Sequence, residues 1–277
     1  MDYKIIVDSG CDITPELAAE LGVTSVALTM NLGEKEFTDD ENLDMPGFMA
    51  EMKACRDKVG SASPTPFSFK EAMVSAGRAF VVTLSSQLSG TYASAALGKT
   101  YAEEEGAEDV HVFDSKSASA GELLVAIKIR ELLTKKIPTD QIIKTVNSFI
   151  DNMKTYFVLE KYDNLIKSGR LNKITEKIIT LLNVKLVMGS DGDGNIIMYG
   201  KPRGKTQMLD KLISLISESK KTTSGEKLIL SHCNNLPLVK QLSEMIRQKF
   251  DFKEIIIVPT RGVASLYAYD EGIVMAF

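Results

Sequence analysis

Tryptophan is absent from this chain, histidine occurs twice and cysteine three times. His111 and His232 cannot furnish a histidine-rich metal centre. Cys11, Cys55 and Cys233 are too few and too widely spaced for a disulfide framework or a paired-cysteine metal site, so they are expected as buried or partly buried thiols. No uninterrupted apolar run approaches the roughly 20 residues of a membrane span. The start, MDYKIIVDSG, has neither the basic lead nor the long apolar stretch of a signal peptide, and a cytoplasmic protein without membrane insertion is expected. Positive charge is not in excess: 33 Lys and Arg against 37 Asp and Glu give a net charge of −4, which argues against a nucleic-acid partner. The chain also lacks G-x-x-x-x-G-K-[ST], a G-x-G-x-x-G after a strand, and G-x-S-x-G, the marks of a P-loop, a dinucleotide site and a hydrolase elbow. Asp191-Gly192-Asp193-Gly194-Asn195 puts Ile196 where a calcium loop requires glycine, so a hairpin turn is expected and no metal.

What is present is an ordinary globular composition, 44% hydrophobic and 25% charged over 277 residues, enough for two α/β units. Tyr3–Val7 reads as a strand, and Thr14-Pro15 opens a helix that Gly22 closes. Val23–Leu32 reads as a second strand, followed by an acidic loop through Asp44 and a helix from Met45 to about Lys58. The small and proline-rich stretch from Gly60 to Pro66 reads as an extended surface loop. Strands at Ala79–Leu84 and Val110–Phe113 then alternate with helices, which implies crossovers and a mainly parallel sheet flanked by helices. Strand candidates at Tyr156–Leu159, Ile196–Tyr199, Lys227–Ser231, Glu254–Val258 and Ile273–Phe277 make the second half another α/β unit. The expected division is 1–154 and 155–277.

Ligands of parallel sheets bind beyond the carboxyl ends of the strands. Three such ends carry hydroxyls: Asp8-Ser9-Gly10, Ser85-Ser86 with Ser89-Gly90-Thr91, and Asp114-Ser115. Ser89 stands where a helix would start, Gly90 admits close backbone approach, and Thr91 offers a hydroxyl and an N–H, a combination suited to an anion or to simple helix capping. Arg170, just after a helix-ending glycine, reads either as a solvated charge or as a fixed guanidinium aimed at an anion. His232, following a strand and beside Cys233, leaves a small serine or cysteine hydrolase as an alternative. The residues by themselves favour a ligand binder over an enzyme.

The segments IIVDSGCDIT, SASPTP, LSSQLSGTYASA, VFDSKSASAGE and NLIKSGRLNK, in this order, resemble the DegV family; the closing RGVASLYAYDEGIVMAF resembles it less closely. The resemblance implies a two-domain α/β fold with a long-chain fatty acid, of palmitate, stearate or oleate type, bound between the domains. It implies a carrier without catalytic activity or cofactor, which presents the acyl carboxylate to the ATP-binding subunit of a fatty acid kinase for conversion to an acyl phosphate. The threonine of the family's TSQP loop falls on Ser61, its LSGT serine on Ser89 and its SGR arginine on Arg170, which together would hold the carboxylate. Arg203 matches an arginine associated with phosphate or partner contact. Ala62 and Ser63 replace a Ser-Gln pair, and Thr260 stands in a segment where many acyl carriers have a histidine followed by glycines. A binder of another amphipathic ligand, with no kinase partner, is the alternative this departure keeps open.

A fatty acid needs a few donors for its carboxylate and a dry slot for its tail. At roughly 0.8 kcal/mol per buried methylene, a chain of about sixteen carbons gains on the order of 10 kcal/mol before entropy losses, so affinity would come from the tail. The apolar stretch from Leu171 to Val187 reads either as the lining of that tail tunnel, which is the expectation carried forward, or as ordinary core.

Overall fold

The computed structural model describes residues 3–171, 185–219 and 222–277. The first half runs β1 (Lys4–Asp8), α1 (Pro15–Leu21), β2 (Val23–Val26), β3 (Thr29–Leu32), β4 (Lys35–Thr38), α2 (Met45–Ala54), β5 (Val59–Ala62), α3 (Pro66–Ala76), β6 (Arg78–Thr83), α4 (Thr91–Glu104), β7 (Asp109–Asp114), α5 (Ala120–Thr134) and α6 (Thr139–Asn152). The second half runs β8 (Thr155–Val158), α7 (Asp163–Lys167), β9 (Val187–Ser190), β10 (Ile196–Gly200), α8 (Gly204–Ser219), β11 (Lys227–His232), α9 (Leu236–Lys249), β12 (Glu254–Pro259), α10 (Gly262–Ala268) and β13 (Ile273–Ala276). The result is a mixed α/β fold.

Four strands in the order β2-β1-β6-β7 form a wholly parallel sheet. Six in the order β10-β9-β8-β13-β11-β12 form a mixed sheet, parallel only between β11 and β12. The capping expected at α1 is present: the Thr14 hydroxyl accepts the Leu17 N–H, and Gly22 closes the helix in the left-handed region at φ 59°.

Two expectations are corrected. Val23–Leu32 is not one strand. The Ser9 side chain accepts the Leu28 N–H while the Ser9 N–H donates to Val26, so the chain leaves the parallel sheet at Ala27 and re-enters pairing as β3. The stretch after Gly60 does not begin as a free loop either. Val59–Ala62 pairs antiparallel with β3, setting Ser61 opposite Met30, and with β4 completes a third sheet of three strands. Short polar strands of this kind carry little period-2 signal, because their small side chains pair through backbone alone. The helix predicted to reach Lys58 ends at Ala54 for the same reason: residues 55–58 bring the chain round to β5.

α5 is buried nearly all round. It packs on β1 and β6 of the parallel sheet and on β11 and β13 of the mixed one, and its run AGELLVAIKIRELL shows no polar face over its first two turns. The core around it draws Ile5, Val7, Phe80 and Phe113 from one sheet and Ile229, Val258 and Ala276 from the other.

Candidate functional site

Two buried carboxylates fasten the loops that follow the parallel strands to one another and to neighbouring segments. Asp8 accepts N–H groups from Gly10 (2.8 Å) and Leu84 (2.7 Å), joining the loops after β1 and β6. Asp12 accepts the Arg261 N–H (2.8 Å) and the Ser119 hydroxyl, joining the β1 loop to the segments before α10 and α5. Asp39 takes both the Gly262 and Val263 N–H groups, at 2.9 and 2.8 Å, and so holds the start of α10. Burial pushes Asp8 and Asp12 up to about 7 each, and pushes Asp39 upward against the bonds it accepts. Glu122 lies beside Asp8 and Asp12 with its carboxyl wholly buried, and desolvation raises it well above the ordinary range.

Near these carboxylates lies a mainly apolar cavity of about 140 Å3. Leu28, Leu84, Phe157, Leu159, Leu165 and Val263 line it. Thr155 and Phe157 of β8, and Leu159 just beyond, alternate onto its wall, with Val274 facing it from the partner position of Phe157. Four residues of extended chain give this wall a length of about 13 Å.

Part of the lining carries hydroxyls and a guanidinium, the candidate head-group chemistry. Beyond Leu159, α7 closes in a Schellman motif: Gly169, at φ 81°, donates to Ile166, and the Arg170 N–H donates back to Leu165. This turn aims Arg170, whose Nε donates to the Leu88 carbonyl (3.1 Å) and Nη1 to that of Ser168 (3.0 Å), with no carboxylate partner among the described residues. Ser61, Ser89 and Arg170 line the same cavity. The Ser89 hydroxyl shares a 2.8 Å hydrogen bond with Thr91 and accepts the Thr91 N–H at 3.3 Å. Sequence reasoning missed Tyr267 of α10. Its hydroxyl lies 2.9 Å from the Ser61 oxygen and its ring 5.5 Å from the Arg170 guanidinium carbon.

The cavity is also bounded by Ser117 and Thr155, whose hydroxyls bond each other at 2.7 Å, and by the turn between β9 and β10. That turn is the hairpin expected at Asp191–Asn195, with Asp191 accepting the Asp193 and Asn195 N–H groups. It is tied to the loops after β6 and β7 by Ser85 donating to the Gly194 carbonyl (3.0 Å) and Ser190 donating to that of Lys116 (3.2 Å).

The remaining predicted residues lie elsewhere. Ser9 is buried in the strand switch described above, and Gly90 and Thr91 stand behind Ser89, with the Thr91 N–H already committed to it. Thr260 is buried and bonded to Ser265 (2.7 Å), so the closing segment meets the cavity through Val263, Ala264, Tyr267 and Ala268 instead. Arg203 is exposed at the start of α8, its N–H capped by Gln207. The tunnel lining expected over Leu171–Val187 falls largely on residues 172–184, outside the described residues. His232 uses Nδ1 to accept the Asn235 N–H (3.2 Å), and no serine or cysteine side chain bonds it among the described residues. No group of three metal-ligating side chains occurs among the described residues, and no helix among them is long and apolar enough to cross a membrane.

An apolar slot lined by hydroxyls and by a guanidinium with no carboxylate partner among the described residues, built at the strand ends of an α/β fold, has the chemistry to hold an amphipathic anion. Residues 2–275 match a family model described as "Uncharacterised protein, DegV family". The chain belongs to the DegV family. It is 33% identical over 280 residues to a DegV domain-containing protein of Streptococcus gordonii, covering 100% of this chain and 99% of that one. Its fold matches a DegV family protein of Ruminococcus gnavus determined with vaccenic acid, at a TM-score of 0.92 and 34% identity, covering 99% of both chains. It also matches the fatty acid kinase (Fak) B3 protein of Streptococcus pneumoniae loaded with linoleic acid, at a TM-score of 0.92 and 32% identity, covering 100% of this chain and 99% of that one.

Proposed function

We propose that this protein binds a long-chain fatty acid in the apolar slot and presents its carboxylate to an ATP-binding kinase subunit for conversion to an acyl phosphate. In this reading it is a cytoplasmic carrier that contributes no catalytic group and needs no cofactor. The observation that carries the reading is that Ser61, Ser89 and Arg170 line one cavity whose walls are mainly apolar. A carboxylate accepts hydrogen bonds only, and these groups donate. The fatty acids bound by the Ruminococcus and Streptococcus relatives support the ligand class, and the kinase in the latter's name supports the partner. Thr91 orients Ser89, while Ser9 and Thr260 hold the surrounding backbone. Arg203, exposed and outside the cavity lining, is assigned to contact with the partner or the transferred phosphate.

Denaturing extraction of the purified protein should release a stoichiometric long-chain fatty acid. The double variant Ser89→Ala, Arg170→Ala should bind oleate at least about tenfold more weakly, since hydrogen bonds to a charged group are worth more than neutral ones. Wild-type affinity in that variant would remove the head-group assignment. Incubation with a bacterial fatty acid kinase subunit and ATP should yield acyl phosphate; binding without turnover would leave a lipid carrier that serves no kinase.

A further inference from the structure

We infer that Tyr267 is a third residue of the head-group site and the one that makes it select a free carboxylate over an ester; this rests on the fatty acid reading above. Tyr267 enters the cavity from α10, one and a half turns past the Asp39-capped start, so the buried carboxylate fixes where its ring stands. Two features of its surroundings matter. Its hydroxyl and that of Ser61, 2.9 Å apart, own two protons between them, and their mutual hydrogen bond uses one. The other O–H is left to point into the cavity. A carboxylate can accept it, whereas an ester offers only a weaker, uncharged acceptor. The ring of Tyr267 also lies beneath the Arg170 guanidinium, which holds the cation beside the hydroxyl pair. Tyr267 therefore joins the two halves of the site, the Ser61 strand and the Arg170 turn, which have no direct hydrogen bond to each other.

The test compares oleate with methyl oleate, which share a tail and differ at the head. Tyr267→Phe keeps the ring under Arg170 and removes only the hydroxyl. Oleate affinity should fall about tenfold, as expected for a hydrogen bond to a charged group, while methyl oleate affinity stays unchanged. Ser61→Ala should behave likewise, and the double variant should lose less than the sum of the two because the hydroxyls act as a pair. Equal weakening of both ligands would mean that the phenol serves packing alone and would overturn the inference, as would undiminished oleate binding by Tyr267→Phe. Wild-type protein that takes up neither ligand would instead overturn the fatty acid reading itself.

Discussion

Glu122, Asp8 and Asp12 form a buried acidic floor whose protons are part of the fold. Unfolded carboxyl groups titrate near 4, whereas Asp8 and Asp12 hold their protons up to about 7 in the folded chain and desolvation raises Glu122 well above the ordinary carboxyl range. Across that interval the native state binds more protons than the unfolded state, so stability falls as pH rises from about 4 through 7. The melting temperature should therefore be higher at pH 5.5 than at pH 8, by at least a few degrees for a chain of this size. Glu122→Gln keeps the shape of the side chain and removes its titration, and it should flatten that slope. A thermal shift series in which the variant keeps the full slope would show that Glu122 is not among its sources. None of this was legible in the sequence. Asp8 and Asp12 look like turn residues there, and only the fold brings Glu122 beside them.

At the scale of elements, the β9–β10 hairpin is the clearest case of a local signal with a long-range use. Its turn was readable from Asp191-Gly192-Asp193-Gly194-Asn195, but nothing local said that its tip would dock on the loops after β6 and β7. Gly194 sits at φ 94°, and a Cβ there would come within 2.2 Å of the Ser85 oxygen. Gly194→Ala should prise the tip from Ser85 and loosen the part of the slot wall that the hairpin forms. Stopped-flow displacement should then show fatty acid leaving several-fold faster, with the head-group preference for acid over ester preserved. Unchanged dissociation would mean that the hairpin is not a wall of the occupied slot. The opposite case is β5. Its pairing with β3 could not be read from Gly60-Ser61-Ala62, because small residues leave no hydrophobic alternation, yet it is this strand that fixes Ser61. Arg170 lies between the two: the glycine before it was a readable helix stop, and the Schellman turn converts that stop into an aimed side chain.

For the molecule as a whole, the alternation of strands and helices was enough to predict an α/β chain with a parallel sheet in the first half. The mixed order of the second sheet was not, since it depends on which strand ends α5 covers. The division at 154 and 155 drawn from the sequence is a proposal about folding units, and α5 bears on it. Because this helix packs against both sheets, the halves share one core and guanidinium unfolding should be a single transition, with far-UV circular dichroism and a probe in either half superimposing. Two separated transitions would establish independent domains and limit the role of α5 to an interface.

The wall that β8 gives the cavity has one more property. Thr155, Phe157 and Leu159 face the slot, whereas Tyr156 and Val158 belong to the core on the other side of the sheet with Val187 and Phe277. A strand therefore works as a ruler graduated every second residue, in steps of about 6.6 Å. The depth available to a tail along this wall cannot be trimmed one residue at a time: each adjustment is made at a whole graduation or by changing the girth of the side chain standing on it.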